Sequence, residues 1–124
     1  VSTWGNPAGP PLLLLHGIGS RAESWRPVAD GLGASFRAIA LDLRGHGASA
    51  QPDAGYLLPD YAADLGAAID ALHLDRPLLL GHSLGSLAAL TFAAEHPGRL
   101  ARIVAEDPPL RTTPEILPAF DGWQ

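Results

Sequence analysis

The chain has 124 residues, a length that suits one domain and leaves no room for two. Apolar residues make up 47% of it and charged residues 17%, so it can bury a core and does not have the composition of a disordered chain. A net charge of −5 without any basic block leaves no footprint for nucleic acid, and the lack of cysteine excludes disulfides, thiolate chemistry and a cysteine-ligated zinc.

Pro10 and Pro11 introduce a first strand, Leu12 to Leu15, which ends at His16-Gly17-Ile18-Gly19. Ser20 is placed to cap a helix in which Trp25, Val28 and Leu32 recur at helical spacing. A second strand, Phe36 to Leu41, runs into the glycine-punctuated loop Asp42-Leu43-Arg44-Gly45-His46-Gly47. Asp60 caps the next predicted helix, whose Tyr61, Leu65, Ile69 and Leu72 form one apolar face. Pro77 to Leu80 is a third strand and leads into Gly81-His82-Ser83-Leu84-Gly85. The alanine-rich helix Leu84 to His96 stops at Pro97-Gly98. Ile103 to Ala105 is a fourth strand, followed by Glu106-Asp107-Pro108-Pro109.

Strands that read as unbroken apolar runs are buried on both faces, and the helices between them supply crossovers. That pattern predicts an α/β fold with a parallel sheet of about four strands. From Arg111 onward the pattern dissolves into threonine, proline and aromatic residues. The runs at Leu12–Leu15 and Leu78–Leu80 fall far short of the roughly 20 apolar residues a membrane span needs. No basic segment followed by an apolar one opens the chain, so a cytoplasmic protein without membrane contact is expected. Every basic residue is arginine, which with the abundant alanine and glycine fits a GC-rich bacterial genome.

A serine hydroxyl is a poor nucleophile until its proton is removed as it attacks, and it must also be presented to the substrate. A sharp turn between strand and helix presents it, provided the flanking residues are very small. Gly81 and Gly85 meet that need around Ser83, with a strand before the motif and a helix after it. A phosphate-binding turn is the bland rival. It is disfavoured because neither a G-x-G-x-x-G nor a P-loop lysine is present.

Acyl transfer also needs two preorganised donors for the developing oxyanion. One is the N–H after the nucleophile, that of Leu84. The other is expected from the loop after the first strand, with Ile18 as the donor. If the second and third strands flank the first on opposite sides, a crevice opens above the strand ends that carry Ile18 and Ser83. A plain glycine turn is the alternative reading of that loop.

HGIGS, then DLRGHGAS, then GHSLGSLAAL, then EDPP closely resemble the motifs of small esterases and lactonases of the α/β-hydrolase superfamily, from about Leu12 to Pro109. The resemblance implies a partial α/β-hydrolase core, with Ser83 as nucleophile and an oxyanion hole from Ile18 and Leu84. It implies that Asp42, Arg44, Gly45 and Gly47 form a structural loop, and that Val1 to Gly9 is the tail of a β-hairpin opening the sheet. Members with an aspartate nucleophile, such as haloalkane dehalogenases, are disfavoured by the serine at position 83.

The triad partners follow the serine in the order acid, then histidine. No histidine follows His96, and in the family the base sits after a late strand. His16 and His82 belong to the two motifs, His46 to a glycine loop, His73 to a helix end, and His96 to a helix C-terminus that favours a cation. Most relatives place the acid after a later strand. A minority place it after the strand that follows the elbow helix, where Asp107 stands as either the acid or a structural strand-end aspartate. Glu106 is the weaker candidate.

Residues 1–124 are thus expected to be one partial domain truncated at both ends, with a core over 10–109 and the start of a cap or linker over 110–124. The expected activity is serine hydrolysis of a carboxylic ester, lactone or related acyl substrate, needing no metal or organic cofactor, with the base supplied from outside this chain and the fragment alone inactive. A small acyl substrate is the expected partner. A non-catalytic binding protein on the same fold is the rival, and perhydrolase or C–C hydrolase chemistry would use the same elbow.

Overall fold

The first apolar run becomes the centre of a five-stranded sheet in the computed structural model, which describes residues 1–110. The segment expected to begin a cap lies outside the described residues. In chain order the strands are β1 (Ser2–Gly5), β2 (Pro11–Leu15), β3 (Arg37–Leu41), β4 (Leu78–His82) and β5 (Arg102–Glu106). In space they run β1-β3-β2-β4-β5. The four apolar runs form the parallel strands β3, β2, β4 and β5. Strands β2 and β3 are buried on both faces as expected of parallel strands, whereas β5, at the end of the row, is largely exposed, Val104 included. The fifth strand, β1, pairs antiparallel with β3, so the edge of β3 is covered.

Alternate residues of the runs face opposite sides. Leu13, Leu15, Ile39 and Leu41 pack with helices α2 (Leu58–Ala71) and α3 (Leu84–Glu95). Leu12, Leu14, Ala38 and Ala40 pack on the other face with Trp25 and with Ala29 of helix α1 (Arg26–Leu32). Helices thus cover both faces, and the chain changes its direction of winding at β2, between β3 and β4. Among the described residues no helix is long and apolar enough to cross a membrane.

The first helical stretch departs from expectation. A 3-10 turn, Ala22–Trp25, precedes α1, and Ser20 caps neither, because its hydroxyl donates to Ser24 Oγ at 2.8 Å. The Ala22 N–H finds Asp42 instead, donating to Oδ1 at 2.7 Å. The tighter turn also changes which side faces inward, so Ala22, Trp25 and Ala29 are buried and Val28 is exposed.

Helix α2 keeps its predicted face, with Tyr61, Leu65 and Ile69 buried and Leu72 packed at the margin. Asp60 acts from the third helical position, where its Oδ2 accepts the Leu57 N–H at 2.9 Å. Removing that acceptor in Asp60→Ala should cost about 1 kcal/mol, read as a lower urea midpoint with an unchanged slope.

Candidate active site

The strand ends are level. Leu15 pairs with both Leu41 and Gly81, so the loops after β2, β3 and β4 emerge at one edge of the sheet. At the end of β4 the chain turns within one residue, Ser83, which has φ 48° and ψ −113°. That left-handed conformation is costly for a residue with a side chain, by about 1–3 kcal/mol. The turn is held from beneath: the Ser83 N–H donates to the Glu106 carbonyl at 2.9 Å. The buried Ser86 hydroxyl reaches the Gly81 carbonyl at 2.5 Å and that of Glu106 at 3.2 Å. The glycines permit the close approach. A Cβ on Gly81 would come within 2.6 Å of the Ser86 nitrogen, and one on Gly85 would collide with the Leu15 backbone.

The loop after β2 lies directly over this turn. A Cβ on Gly17 would stand 2.7 Å from His82 Nδ1 and 3.2 Å from Ser83 Cβ. Ile18 follows, exposed, and among the described residues no loop or turn hydrogen bond uses its N–H. The Leu84 N–H opens α3 and has no intrahelical partner by its position. The predicted Ser83, Ile18 and Leu84 are therefore brought to one edge of the sheet, around the switch in winding.

Asp42 and Arg44 make structural ties. Asp42 Oδ2 accepts the Ala48 N–H at 3.1 Å, and the Ser49 hydroxyl donates to the Asp42 carbonyl at 2.6 Å. Arg44 makes a bidentate pair with Asp64, both contacts at 2.6 Å, and donates to the Gly55 carbonyl. Burial opposes ionisation of Asp42, but the Ala22 and Ala48 N–H groups and nearby His16 together hold its carboxyl below the ordinary value.

His16 is buried and fully engaged. Its Nε2 accepts the Leu43 N–H at 3.0 Å, so the proton is on Nδ1, which donates to the Gly17 carbonyl at 2.8 Å. Burial is the chief cause that depresses its pKa, helped by His46 and opposed by Gly17 and Asp42. His46 is engaged too, with the Gly19 N–H donating to Nε2 at 3.1 Å and Nδ1 3.0 Å from the Arg44 carbonyl. His96 lies at the end of α3 with its ring 4.8 Å from that of Phe92. Among the described residues no side chain hydrogen-bonds the Ser83 hydroxyl. Asp107, just past β5, is exposed and left-handed with φ 45°, an uncommon state for a residue before proline.

A pH dependence of stability follows. The unfolded chain protonates His16 near its ordinary 6.5 while the native site resists, so stability should fall as pH drops below that value toward the lower native one. The Asp42 contribution, fully present above its ordinary 3.8, is lost at lower pH as the folded carboxyl protonates. Thermal melts should therefore show Tm falling from pH 7 to pH 5. His16→Gln, which keeps an acceptor for Leu43 without a titrating proton, should flatten that limb, and an equally steep limb in the variant would refute the assignment.

Two cavities lie along this edge. One of about 330 Å³ is lined by Leu41, Asp42, Arg44, Ser49, Asp64 and Leu65, beside α2 and away from Ser83. The other, about 210 Å³, is lined by Gly17, Ser20, Ser24, Trp25, His82 and Glu106, next to the turn. The smaller one adjoins the chemistry that the turn can support. Ser86 belongs to no catalytic pattern in the sequence. Its signal was a lone polar residue in the apolar stretch Leu84-Gly85-Ser86-Leu87-Ala88-Ala89.

The family described as alpha/beta hydrolase fold matches residues 10–124, and the chain belongs to it. It is 40% identical over 100 residues to 2-(acetamidomethylene)succinate hydrolase of Mesorhizobium japonicum, covering 81% of this chain and 36% of that protein. It is 42% identical over 118 residues to N-formylmaleamate deformylase of Pseudomonas putida, covering 90% and 44%. The crystal structure of E-2-(acetamidomethylene)succinate hydrolase superposes with a TM-score of 0.89 at 37% identity, over 97% of this chain and 44% of that one. The chain spans less than half the length of these relatives.

Proposed function

We propose that this chain carries the nucleophile of a serine hydrolase acting on a carboxylic ester, lactone or related acyl substrate. The observation that carries the reading is the left-handed Ser83 at the strand-to-helix turn, beneath the Gly17–Ile18 loop. Family membership makes an enzyme of the α/β-hydrolase type the expectation. The two curated relatives, by their names, act on an acetamido and an N-formyl compound, which extends the acyl class toward amides.

Ser83 Oγ attacks the carbonyl carbon and passes its proton to a histidine supplied from outside this chain. The Ile18 and Leu84 N–H groups hold the oxyanion. Collapse of the tetrahedral species breaks the bond to the leaving group, which takes the proton from that histidine. Water, deprotonated by the same histidine, then attacks the acyl-enzyme, and the bond from the acyl carbon to Ser83 Oγ breaks as the histidine returns its proton to that oxygen, releasing the acid. Asp107 is the candidate acid to orient the histidine, with a structural aspartate at the strand end as the alternative.

The rival is a binding protein on the same fold, favoured by the engagement of both ring nitrogens of His16 and His46 in backbone contacts. Labelling with a fluorophosphonate separates the two. A full-length protein with a downstream histidine should take the label on the Ser83 peptide, located by mass spectrometry. No adduct on that peptide would defeat the hydrolase reading. The 124-residue chain alone should label poorly, and robust turnover by it would show that the base lies among its own residues.

A further inference from the structure

We propose that His46 is a positioning residue for the oxyanion hole, holding the Gly17–Gly19 turn over Ser83 by accepting the Gly19 N–H. The inference rests on the serine-hydrolase reading above. It concerns which residue sets the distance between the hole and the nucleophile.

The turn has little of its own to fix it. Gly17 and Gly19 have no side chains to pack, and Gly19 is left-handed with φ 73°. Its internal hydrogen bond is the Ser20 N–H to the Gly17 carbonyl, at 3.2 Å. Ile18, whose N–H would face the oxyanion, is exposed. Its geometry is therefore imposed from outside, and the group that does so reaches it from a loop 27 residues further along the chain.

The chemistry of the contact is specific. A carbonyl oxygen only accepts, so His46 Nδ1, 3.0 Å from the Arg44 carbonyl, carries the proton. The Nε2 lone pair is then free to accept the Gly19 N–H at 3.1 Å. The neutral Nδ1–H tautomer satisfies both contacts at once. His46 can act as an anchor because its own loop is fixed: its N–H donates to the Leu43 carbonyl at 3.0 Å, and the Gly45 N–H to that of Ala50 at 2.8 Å.

A second strap runs the opposite way. His16, at the root of the turn, accepts the Leu43 N–H, again across 27 residues. The two rings meet edge to face with centroids 5.1 Å apart. His16 fixes where the turn leaves β2, and His46 fixes its far side next to Ile18. A loop tied at one end alone can swing about that end. The His46 contact stops the swing at the residue adjoining the donor.

Misplacing a group by about 1 Å can cost on the order of 10²-fold in rate, and losing an oxyanion donor costs about 10²–10³-fold. In the full-length protein, His46→Ala should therefore lower kcat, and the rate of fluorophosphonate addition to Ser83, by about 10–100-fold with KM little changed. His46→Gln, whose amide oxygen can reach the Gly19 N–H, should recover most of that loss. Imidazole ¹⁵N shifts should show the Nδ1–H tautomer, and Gly19 amide exchange should quicken in the alanine variant only.

Unchanged Ser83 labelling in His46→Ala would overturn the proposal. Equal losses in the alanine and glutamine variants, tracking a fall in Tm, would also overturn it, since that is a merely structural effect. If the wild-type protein forms no Ser83 adduct, the serine-hydrolase reading fails and the catalytic role of His46 falls with it. In that case the tautomer and the Gly19 exchange still decide whether His46 holds the loop.

Discussion

Ser83→Ala should abolish the fluorophosphonate adduct and lower kcat/KM by about 10⁴-fold or more, and Ser83→Gly should be equally inactive yet melt at a higher temperature than the wild type. The two variants lose the same hydroxyl and differ in the backbone they impose. At φ 48° and ψ −113° an L side chain is strained, and alanine keeps that strain because it keeps the Cβ. Glycine removes it, so a gain on the order of 1 kcal/mol is expected, or about 4 °C for a chain of this size. Alanine should melt close to wild type. A gain confined to glycine would show that the fold gives up stability to present the hydroxyl, a trade found where activity needs a strained site. Substantial turnover in Ser83→Ala would place the nucleophile elsewhere. A glycine variant no more stable than alanine would mean the turn stores no strain.

What was legible in the sequence was legible for local reasons. Leu12–Leu15, Phe36–Leu41 and Leu78–Leu80 announce strands because short runs, apolar apart from Arg37, suit a parallel sheet covered on both faces. The elbow announces itself because the glycines beside Ser83 answer to contacts within a few residues and with the adjacent strand. Contacts made across the chain left no such trace. Ser20 looked like a cap, but the Ala22 N–H is taken by Asp42, 20 residues away. His16, in the first motif, and His46, in the glycine loop, carry no sign in the sequence of which group they bond, since each partner lies 27 residues distant. Strand β1 lacks an apolar run, and only the family resemblance points to a sheet-opening segment over Val1 to Gly9; its neighbour in the sheet is β3, more than 30 residues further along the chain.

The same division governs the candidate site. The identity of the nucleophile is written in a five-residue motif, whereas the distance between the nucleophile and its oxyanion donors is set by the sheet register and by the straps between loops. Leu15 pairing with Gly81 sets the height of the Gly17 loop relative to Ser83. The packing of α3 against β2 sets where the Leu84 N–H stands. A change that moves α3 by a fraction of an ångström should therefore register in stability and in chemistry together.

Gly85→Ala is such a change. The added Cβ would lie 2.7 Å from both the carbonyl carbon and the Cβ of Leu15, and nearer still to its carbonyl oxygen. Leu15 is fully buried in the central strand, with β3 on one side and β4 on the other, so it has no direction in which to yield. Helix α3 must lift instead, loosening its contacts through Ala88, Ala89 and Phe92. Overpacking costs about 1–3 kcal/mol where a flexible side chain can give way. Here the opposing atoms belong mainly to backbone, so a loss of about 3 kcal/mol or more is expected, or a fall in Tm of roughly 10 °C. Because α3 begins one residue after Ser83, the lift also carries the Leu84 N–H away from the Ile18 donor, and labelling of Ser83 should slow by about 10²-fold even below the melting temperature. Gly31→Ala is the matched control. It adds the same methyl group within α1, where no atom lies within 4 Å, and should stabilise by about 0.4–1 kcal/mol while leaving the labelling rate unchanged. Opposite signs for one chemical change at two helical glycines would locate the constraint in the contact between α3 and Leu15. Equal and small effects at both would show that the helix can move aside, and that the close approach at Gly85 does not fix the site.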